Sequence, residues 1–390
     1  MKDGLWLRIP TRAITTRDIL HPLKKFISTP SVTGSEHDLA TYIERDLSEC
    51  GFEVDVVLAA GCGPTIFAQH HFRVVGPKLL LFGHLDTVEP TEGWKHPPFK
   101  PTSVGSRLYG LGASDMKGGL AALIVAAKKL IHLPLRGSLI LALTSDEEMH
   151  SRGCDALIRK GKLKGVDAAI SAEATGLDAL EFGRRGRIVY EVNVKGQAGH
   201  AAGNSYGVNA VEEASKLILG LRKLPIGAYR GVKGSVEILS ISGGTEFLSI
   251  PDSCYLLIDR HLAPGESRED ALKQMKLLVN DLKLKAEVKV KLFKKPTPFM
   301  ESYLLKENTP IVKTVEKACL KVRGTRSRKR IGLSVGDENY LVTRAGIPTV
   351  TLGPTGGREH APNEWVDIRS VAEAANIYVA AGTIFLGNKE

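Results

Sequence analysis

The sequence predicts an α/β fold: a mostly parallel-sheet domain into which a smaller, ferredoxin-like α+β domain is inserted. Three observations predict it. Fully apolar strands alternate with an apolar helix between residues 79 and 171, the pattern of a parallel sheet covered on both faces. Each of those strands finishes in acidic or imidazole side chains. From about Arg185 to Pro296 the texture changes to alternating strands and amphipathic helices.

The elements follow in order. Residues 18 to 50 read as helical; Ser35-x-x-Asp38 resembles a capping box ahead of LATYIERDLSEC, and Gly51 stops the helix. FEVDVVL is a strand, and Leu79 to Phe82 is a second, ending in Gly83-His84-Leu85-Asp86. Alternate strand side chains share a face, so His84 and Asp86 point the same way, as a metal ligand and a supporting carboxylate do. TEGWKHPPFKPTSVGSRLYGLGASDMKGG is a long irregular connection, and such loops inside compact domains are usually functional. Its Gly110-x-Gly112 has Asp115 where a dinucleotide fingerprint needs glycine, which rules that motif out. The apolar helix KGGLAALIVAAKKLI follows. The strand SLILALTS then ends in Ser145-Asp146-Glu147-Glu148, and Val166 to Ser171 ends in Glu173. Carboxylates gathered on one sheet edge repel each other unless cations are bound, and ligands of open α/β sheets bind at that edge. His360 lies in GPTGGREHAPNEWV after the strand IPTVTLG, and a helix from Asp367 to Leu386 closes the chain.

In the insertion, IVYEVNVKG, SVEILSISGG, CYLLIDRHL and AEVKVKLF are strands, and Gly207 to Leu224 and Gly265 to Leu284 are helices. The order β-α-β-β-α-β is that of a ferredoxin-like domain. The expected boundaries are 1–184 and 297–390 for the two parts of the main domain and 185–296 for the insertion.

The composition, 43% hydrophobic and 25% charged over 390 residues, is that of a globular chain. No apolar run approaches the roughly 18 residues of a membrane span. The start, MKDGLWLRIPTR, lacks the apolar core of a secretory signal. The five cysteines form no C-x-x-C pair, which argues against disulfides and thiolate zinc and suits a cytoplasmic location. A net charge of +10 raises the question of nucleic acid, but the basic residues are dispersed. The one dense cluster, Arg323 to Arg330, has no aromatic residue for stacking and no accompanying nucleic-acid motif. It reads as a solvated basic loop, or as a patch attracting an anionic substrate or an acidic partner.

GHLDTVEP, LYGLGASDMKGG, TSDEE, SAEATG and GREHAPNEW together resemble the zinc amidohydrolase family of acetylornithine deacetylase, succinyl-diaminopimelate desuccinylase, aminoacylase and glutamate carboxypeptidase. The resemblance covers nearly the whole chain. It implies that His84, Asp115 and Glu173 hold one metal and Asp115, Glu148 and His360 the other, Asp115 bridging. Two Zn²⁺ are the implied cofactors, with Co²⁺ or Mn²⁺ as substitutes. It also implies a catalytic domain interrupted by a lid and dimerisation domain, Glu147 as general base, Asp86 orienting His84, and a cis peptide at Asp115-Met116. His200, in GQAGHAA, is expected to reach the partner subunit's active site and stabilise the oxyanion, which requires a homodimer paired through the insertion. Arg260, in IDRHLAPGE, matches the family's substrate-carboxylate arginine, with a structural ion pair as the plainer reading.

The implied reaction is hydrolysis of the amide of an N-acyl amino acid; a metallo-carboxypeptidase or dipeptidase of the same family, acting on a short peptide, is the alternative. Glu173, where the aminopeptidase branch has aspartate, tilts toward the deacylases. Two positions depart from the family pattern: Leu248 in GGTEFLSIP replaces an asparagine, and Glu338-Asn339 follow Asp337 where small residues are usual. Both departures are expected to bear on substrate recognition. A silent binding protein and a nucleic-acid binder are the rivals from other classes. The first would have lost Glu147 or a metal ligand, and all are present.

Overall fold

The computed structural model describes residues 12–203 and 206–387; the opening MKDGLWLRIPT, part of the stretch in which no secretory signal is read, lies outside them. The chain forms two compact units. The first takes in the chain up to Phe182, Lys306–Arg330 and the residues from Ala345; the second takes in Gly183–Leu305 and Ile331–Arg344.

The first unit is built on a mixed sheet that is parallel at its centre. Val74–His84 lies between Arg136–Thr144 and Ala168–Ser171, parallel to both, and Thr349–Thr351 continues the parallel run beside Ala168–Ser171. Leu79, Leu80, Leu81, Leu139, Leu141 and Leu143 have no exposed surface, as expected for strands covered on both faces. Helices Thr16–Ser28, Gly118–Leu130 and Ile368–Leu386 pack together against this sheet. Thr65–His71, which the sequence reading passed over, joins antiparallel between Glu53–Val57 and Arg136–Thr144. Its TIFAQHH mixes apolar and imidazole side chains without clean alternation, so it carries little periodic signal.

Two local expectations change. The helical stretch 18–50 is two helices, Thr16–Ser28 and His37–Glu49, parted by residues 29–36. Ser35 and Asp38 do not form a capping box: the second helix begins after Glu36, whose side chain turns inward and accepts the Asp146 N–H at 3.3 Å. The capping box is at Thr15 and Asp18, one helix earlier. The long connection is also less irregular than its composition suggests. Thr102–Val104 and Arg107–Tyr109 join Trp365–Asp367 and Gly356–Gly357 in a small antiparallel sheet, bringing the Asp115 segment beside the His360 loop.

The second unit has the sheet order Ser235–Gly243, Ser253–Leu262, Gly186–Lys195, Glu287–Leu292, antiparallel throughout. Helices Ala210–Gly220 and Arg268–Asp281 cover one face, over a core that includes Tyr190, Val192, Leu217, Leu256, Ile258 and Met275. This is a ferredoxin-like arrangement. Segments outside 185–296 belong to it as well. Tyr303–Leu304 pairs with Gly183 and Arg184, and Asn339 Nδ2 donates to the carbonyls of Arg185 (2.9 Å) and Glu301 (2.8 Å). The Asn339 amide oxygen accepts the Gly336 N–H at 3.0 Å, and Glu338 pairs with Arg184 at 3.4 Å. Glu338 and Asn339 are thus buried structural groups of this unit.

Among the described residues no helix is long and apolar enough to cross a membrane, and the five cysteines are free thiols. The basic segment is largely paired by the chain's own acids: Arg323 with Glu373, Arg328 with Asp178, Lys329 with Glu307 and Glu316, and Arg330 with Glu181.

Candidate metal centre and active site

Three adjacent parallel strands end at one edge of the first unit's sheet, and that register sets the site. His84 is the last residue of its strand, Glu147 and Glu148 lie three and four residues past Thr144, and Glu173 lies two past Ser171. Asp115 comes from the turn before Gly118–Leu130, where the Asp115-Met116 peptide is cis, as the resemblance implies. His360 comes from the loop after Thr349–Thr351 and has φ 58°, a conformation that a residue with a Cβ adopts only when its surroundings hold it. Three residues on, the Asn363 amide oxygen accepts the Lys95 N–H at 2.7 Å, tying this loop to the long connection.

His84, Asp115, Glu148, Glu173 and His360 are brought together. His84 Nε2 lies 3.2 Å from Asp115 Oδ1 and 3.2 Å from Glu173 Oε1. His360 Nε2 lies 3.3 Å from Asp115 Oδ2 and 3.0 Å from Glu148 Oε2. One carboxylate therefore faces two imidazoles, one on each oxygen. Among the described residues, His84, Asp115 and Glu148 offer ligand atoms within 4.8 Å of one another, a possible metal site.

The tautomer of His84 tests whether a cation fits. Its Nδ1 is 3.0 Å from the Asp86 carbonyl, which can only accept, so Nδ1 carries a hydrogen. The Nε2 lone pair of the neutral ring then faces two carboxylates, which is repulsive unless a proton or a cation lies between them. Burial opposes charging His84, but Glu173, Asp115 and Asp86 outweigh it and favour a proton there, holding the imidazole well above its ordinary range. Hydrogen bonds to Asp115 and Glu148 push His360 up to about 10. Burial raises Glu148; it would raise Asp115 too, but the two imidazoles draw that carboxyl well below its ordinary value. Two bound divalent cations would replace those protons, and imidazole with carboxylate oxygen is a donor set that suits zinc.

Asp86 is fully buried. Its Oδ1 accepts the Glu147 N–H and its Oδ2 the Glu148 N–H, both at 3.2 Å, and Oδ2 also accepts the Thr33 hydroxyl at 2.9 Å. Its carboxylate is 3.5 Å from His84 Nδ1, further than its own carbonyl. Side chains missed by the sequence reading lie beside these groups. Glu36 receives the next N–H of the same turn, from Asp146, and Glu364, 1% exposed, lies against the Asp115 segment. An acid directly before an apolar residue in a motif already matched for its histidine gave the only hint of Glu364. Two glycines fix the approach to Glu173: a Cβ on Gly119 or Gly353 would come within 2.1 and 2.2 Å of the Ala172 carbonyl.

His200 and Arg260 belong to the second unit. His200 is exposed, its Nδ1 accepts the Ala202 N–H at 3.1 Å, and it bridges to Ser249 next to the exposed Leu248. Arg260 lies on the helix-covered face of its strand with no exposed side-chain surface; Nη2 donates to Glu266 at 2.8 Å and Gln274 at 3.4 Å, while Nε and Nη1 have no hydrogen-bond partner among the described residues.

Residues 80–382 match the model of peptidase family M20/M25/M40. The chain is 30% identical over 381 residues to a succinyl-diaminopimelate desuccinylase of Wolinella succinogenes, covering 93% of this chain and 98% of that relative. A tripeptidase from Staphylococcus aureus has a similar fold, with TM-score 0.83, 21% identity, and 96% and 100% of the two chains covered. So does a Bacillus subtilis dinuclear metal-binding peptidase of family M20, with TM-score 0.76, 18% identity, and coverage of 95% and 98%. With a full-length relative at this identity and a family match spanning most of the chain, the cluster of imidazoles and carboxylates falls into place: the protein belongs to peptidase family M20/M25/M40 and is a metallohydrolase acting on amide bonds.

Proposed function

We propose that the protein is a homodimeric dizinc amidohydrolase that cleaves the amide of an N-acyl amino acid into a carboxylate and a free amine. The observation that carries this reading is the Asp115 carboxylate, which faces the His84–Glu173 set with one oxygen and the His360–Glu148 set with the other. When bound there, two Zn²⁺ (or Co²⁺ or Mn²⁺) supply Lewis acidity to the scissile carbonyl and lower the pKa of water. Glu147 takes the proton from that water as its hydroxyl adds to the carbonyl carbon, then passes it to the nitrogen as the C–N bond breaks. Asp86 holds Glu147 and Glu148 in place through their N–H groups.

His200 donates to the developing oxyanion in the partner subunit's site in this reading, and its exposure at the end of a loop supports that. The two edges of the second unit's sheet support pairing through this domain. Glu287–Leu292 carries Lys289 and Lys291, which guard an edge, whereas Ser235–Gly243 exposes Ile238, Leu239 and Ile241 and is the edge left for a second copy. Arg260 is assigned to the substrate carboxylate through Nε and Nη1, which have no partner among the described residues. The full-length likeness to a desuccinylase supports an acyl amino acid as substrate.

The test is hydrolysis by chelated protein refilled with Zn²⁺ or Co²⁺, on N-acetyl-ornithine, N-succinyl-diaminopimelate, N-acetyl-methionine and dipeptides in parallel. A metal-dependent rate on one acyl class supports the reading. A rate on the dipeptides alone makes the protein a peptidase of the same chemistry, and failure to take up metal sinks the proposal.

A further inference from the structure

Asp115 sits in a backbone segment that cannot satisfy its own donors. Between Gly112 and Gly118 the residues Asp115 (φ −117°, ψ 95°) and Met116 (φ −126°, ψ 33°) depart from helical geometry. The first donors of this turn precede any helical carbonyl that could take them, and buried N–H groups need acceptors. The N–H groups of Gly112, Ser114 and Asp115 converge on one carboxylate, that of Glu364. Oε2 accepts Gly112 at 2.7 Å, and Oε1 accepts Ser114 at 2.7 Å and Asp115 at 2.9 Å. On the other side of Asp115, Lys117 Nζ, fully buried, donates to the carbonyls of Phe26 (2.9 Å) and Thr29 (3.0 Å).

Glu364 also lies four residues after His360, immediately before the Trp365–Asp367 strand that pairs with Arg107–Tyr109. Its carboxylate therefore joins the loop bearing His360 to the turn bearing Asp115. We propose that Glu364 is the positioning residue of the bridging carboxylate, locking Asp115 and His360 into one rigid piece so that their donor atoms are set before metal arrives. The inference rests on the dinuclear reading. Glutamate is specifically required. Both Glu364 oxygens are taken up as acceptors of backbone N–H groups, whereas a glutamine would turn its NH₂ toward at least one of them.

The test is stepwise Zn²⁺ binding by competition with a chromophoric chelator, together with the melting temperature of the metal-free protein. The proteins compared are wild type, Glu364→Gln, Glu364→Asp and a control, Val371→Ala, which trims a buried side chain of the closing helix. The expected result is that Glu364→Gln weakens at least one zinc step by about 10–100-fold, the usual cost of losing a residue that orients a metal ligand. Val371→Ala keeps wild-type zinc constants even if it melts earlier. Glu364→Asp, which keeps the charge but cannot reach all three donors, falls between, and carries the test if the glutamine variant does not fold. Zinc constants within about threefold of wild type in folded Glu364→Gln overturn the proposal, as does an equal loss in Val371→Ala. Uptake of fewer than two zinc ions by wild type sinks the dinuclear reading instead, and is read from a different protein than the one that tests Glu364.

Discussion

Replacing Asp86 with asparagine separates two ways in which this residue can act. The carboxylate is buried and saturated: Oδ1 takes the Glu147 N–H, and Oδ2 takes the Glu148 N–H and the Thr33 hydroxyl. An asparagine side chain has one acceptor oxygen, so in either orientation its NH₂ faces one of the two N–H groups and that donor loses its partner. A buried donor without an acceptor costs about 1–3 kcal/mol. At about 2–4 °C per kcal/mol for a unit of this size, the melting temperature should fall by roughly 2–12 °C. The catalytic effect should be larger, because the displaced turn carries both the proposed base and a proposed ligand. General bases contribute about 10²–10⁴ in rate, and misplacing one should forfeit on the order of 10² in kcat. The assay is kcat of Asp86→Asn at saturating Zn²⁺, with zinc constants and melting temperature measured alongside. If Asp86 works through the turn, kcat stays low however much zinc is added. If saturating zinc restores kcat to within about threefold of wild type, Asp86 acts only by orienting His84, and the role assigned from its hydrogen bonds is wrong.

The remaining predictions are simpler to read. Glu147→Ala should abolish turnover and leave zinc content unchanged by metal analysis; lost metal would show that Glu147 is a ligand or a support rather than the base. His200→Ala should lower kcat by about 10²–10³, the scale of one oxyanion donor, and an unaffected rate would remove it from the site. Ile241→Asp, on the exposed edge strand, should convert the proposed dimer to a folded monomer by light scattering, while a persistent dimer would move the interface elsewhere. Asp259→Asn should destabilise the second unit in a pH-dependent way. Burial would raise the Asp259 carboxyl, but His261 and Arg187 outweigh it and lower it. A carboxyl lowered by folding stabilises fully above its unfolded value of about 3.9, and the contribution disappears as pH falls through the folded value. The gap in melting temperature between wild type and variant should therefore be wide at pH 7 and narrow toward pH 3, whereas a constant gap would mean that packing, not charge, is what the substitution removes.

The sequence by itself determined the fold class and the inventory of chemistry. Apolar runs such as Leu79–Phe82 and SLILALTS are buried in any parallel sheet, and the alternation of Gly186–Lys195 with its neighbours specifies a sheet covered on one face. These are properties of side-chain period, which a linear sequence carries in full. His84, Asp115, Glu148, Glu173 and His360 were legible because chemistry demands particular residue types in motifs of recognisable order.

What the tertiary structure decided is where the polar groups that hold those residues go. Glu36 read as part of a capping stretch and proved to be an inward acceptor for the Asp146 N–H. Glu338 and Asn339 read as recognition residues and proved to be buried ties within the second unit. Asp86 read as a partner for the His84 ring, and its carboxylate, 3.5 Å from that ring, also accepts two backbone amides; Glu364 was not singled out at all. The physical reason is common to all five. A carboxylate or carboxamide finds its partner across the fold, among backbone N–H groups and other groups left unpaired by an irregular turn, and no residue type or spacing marks which turn that will be.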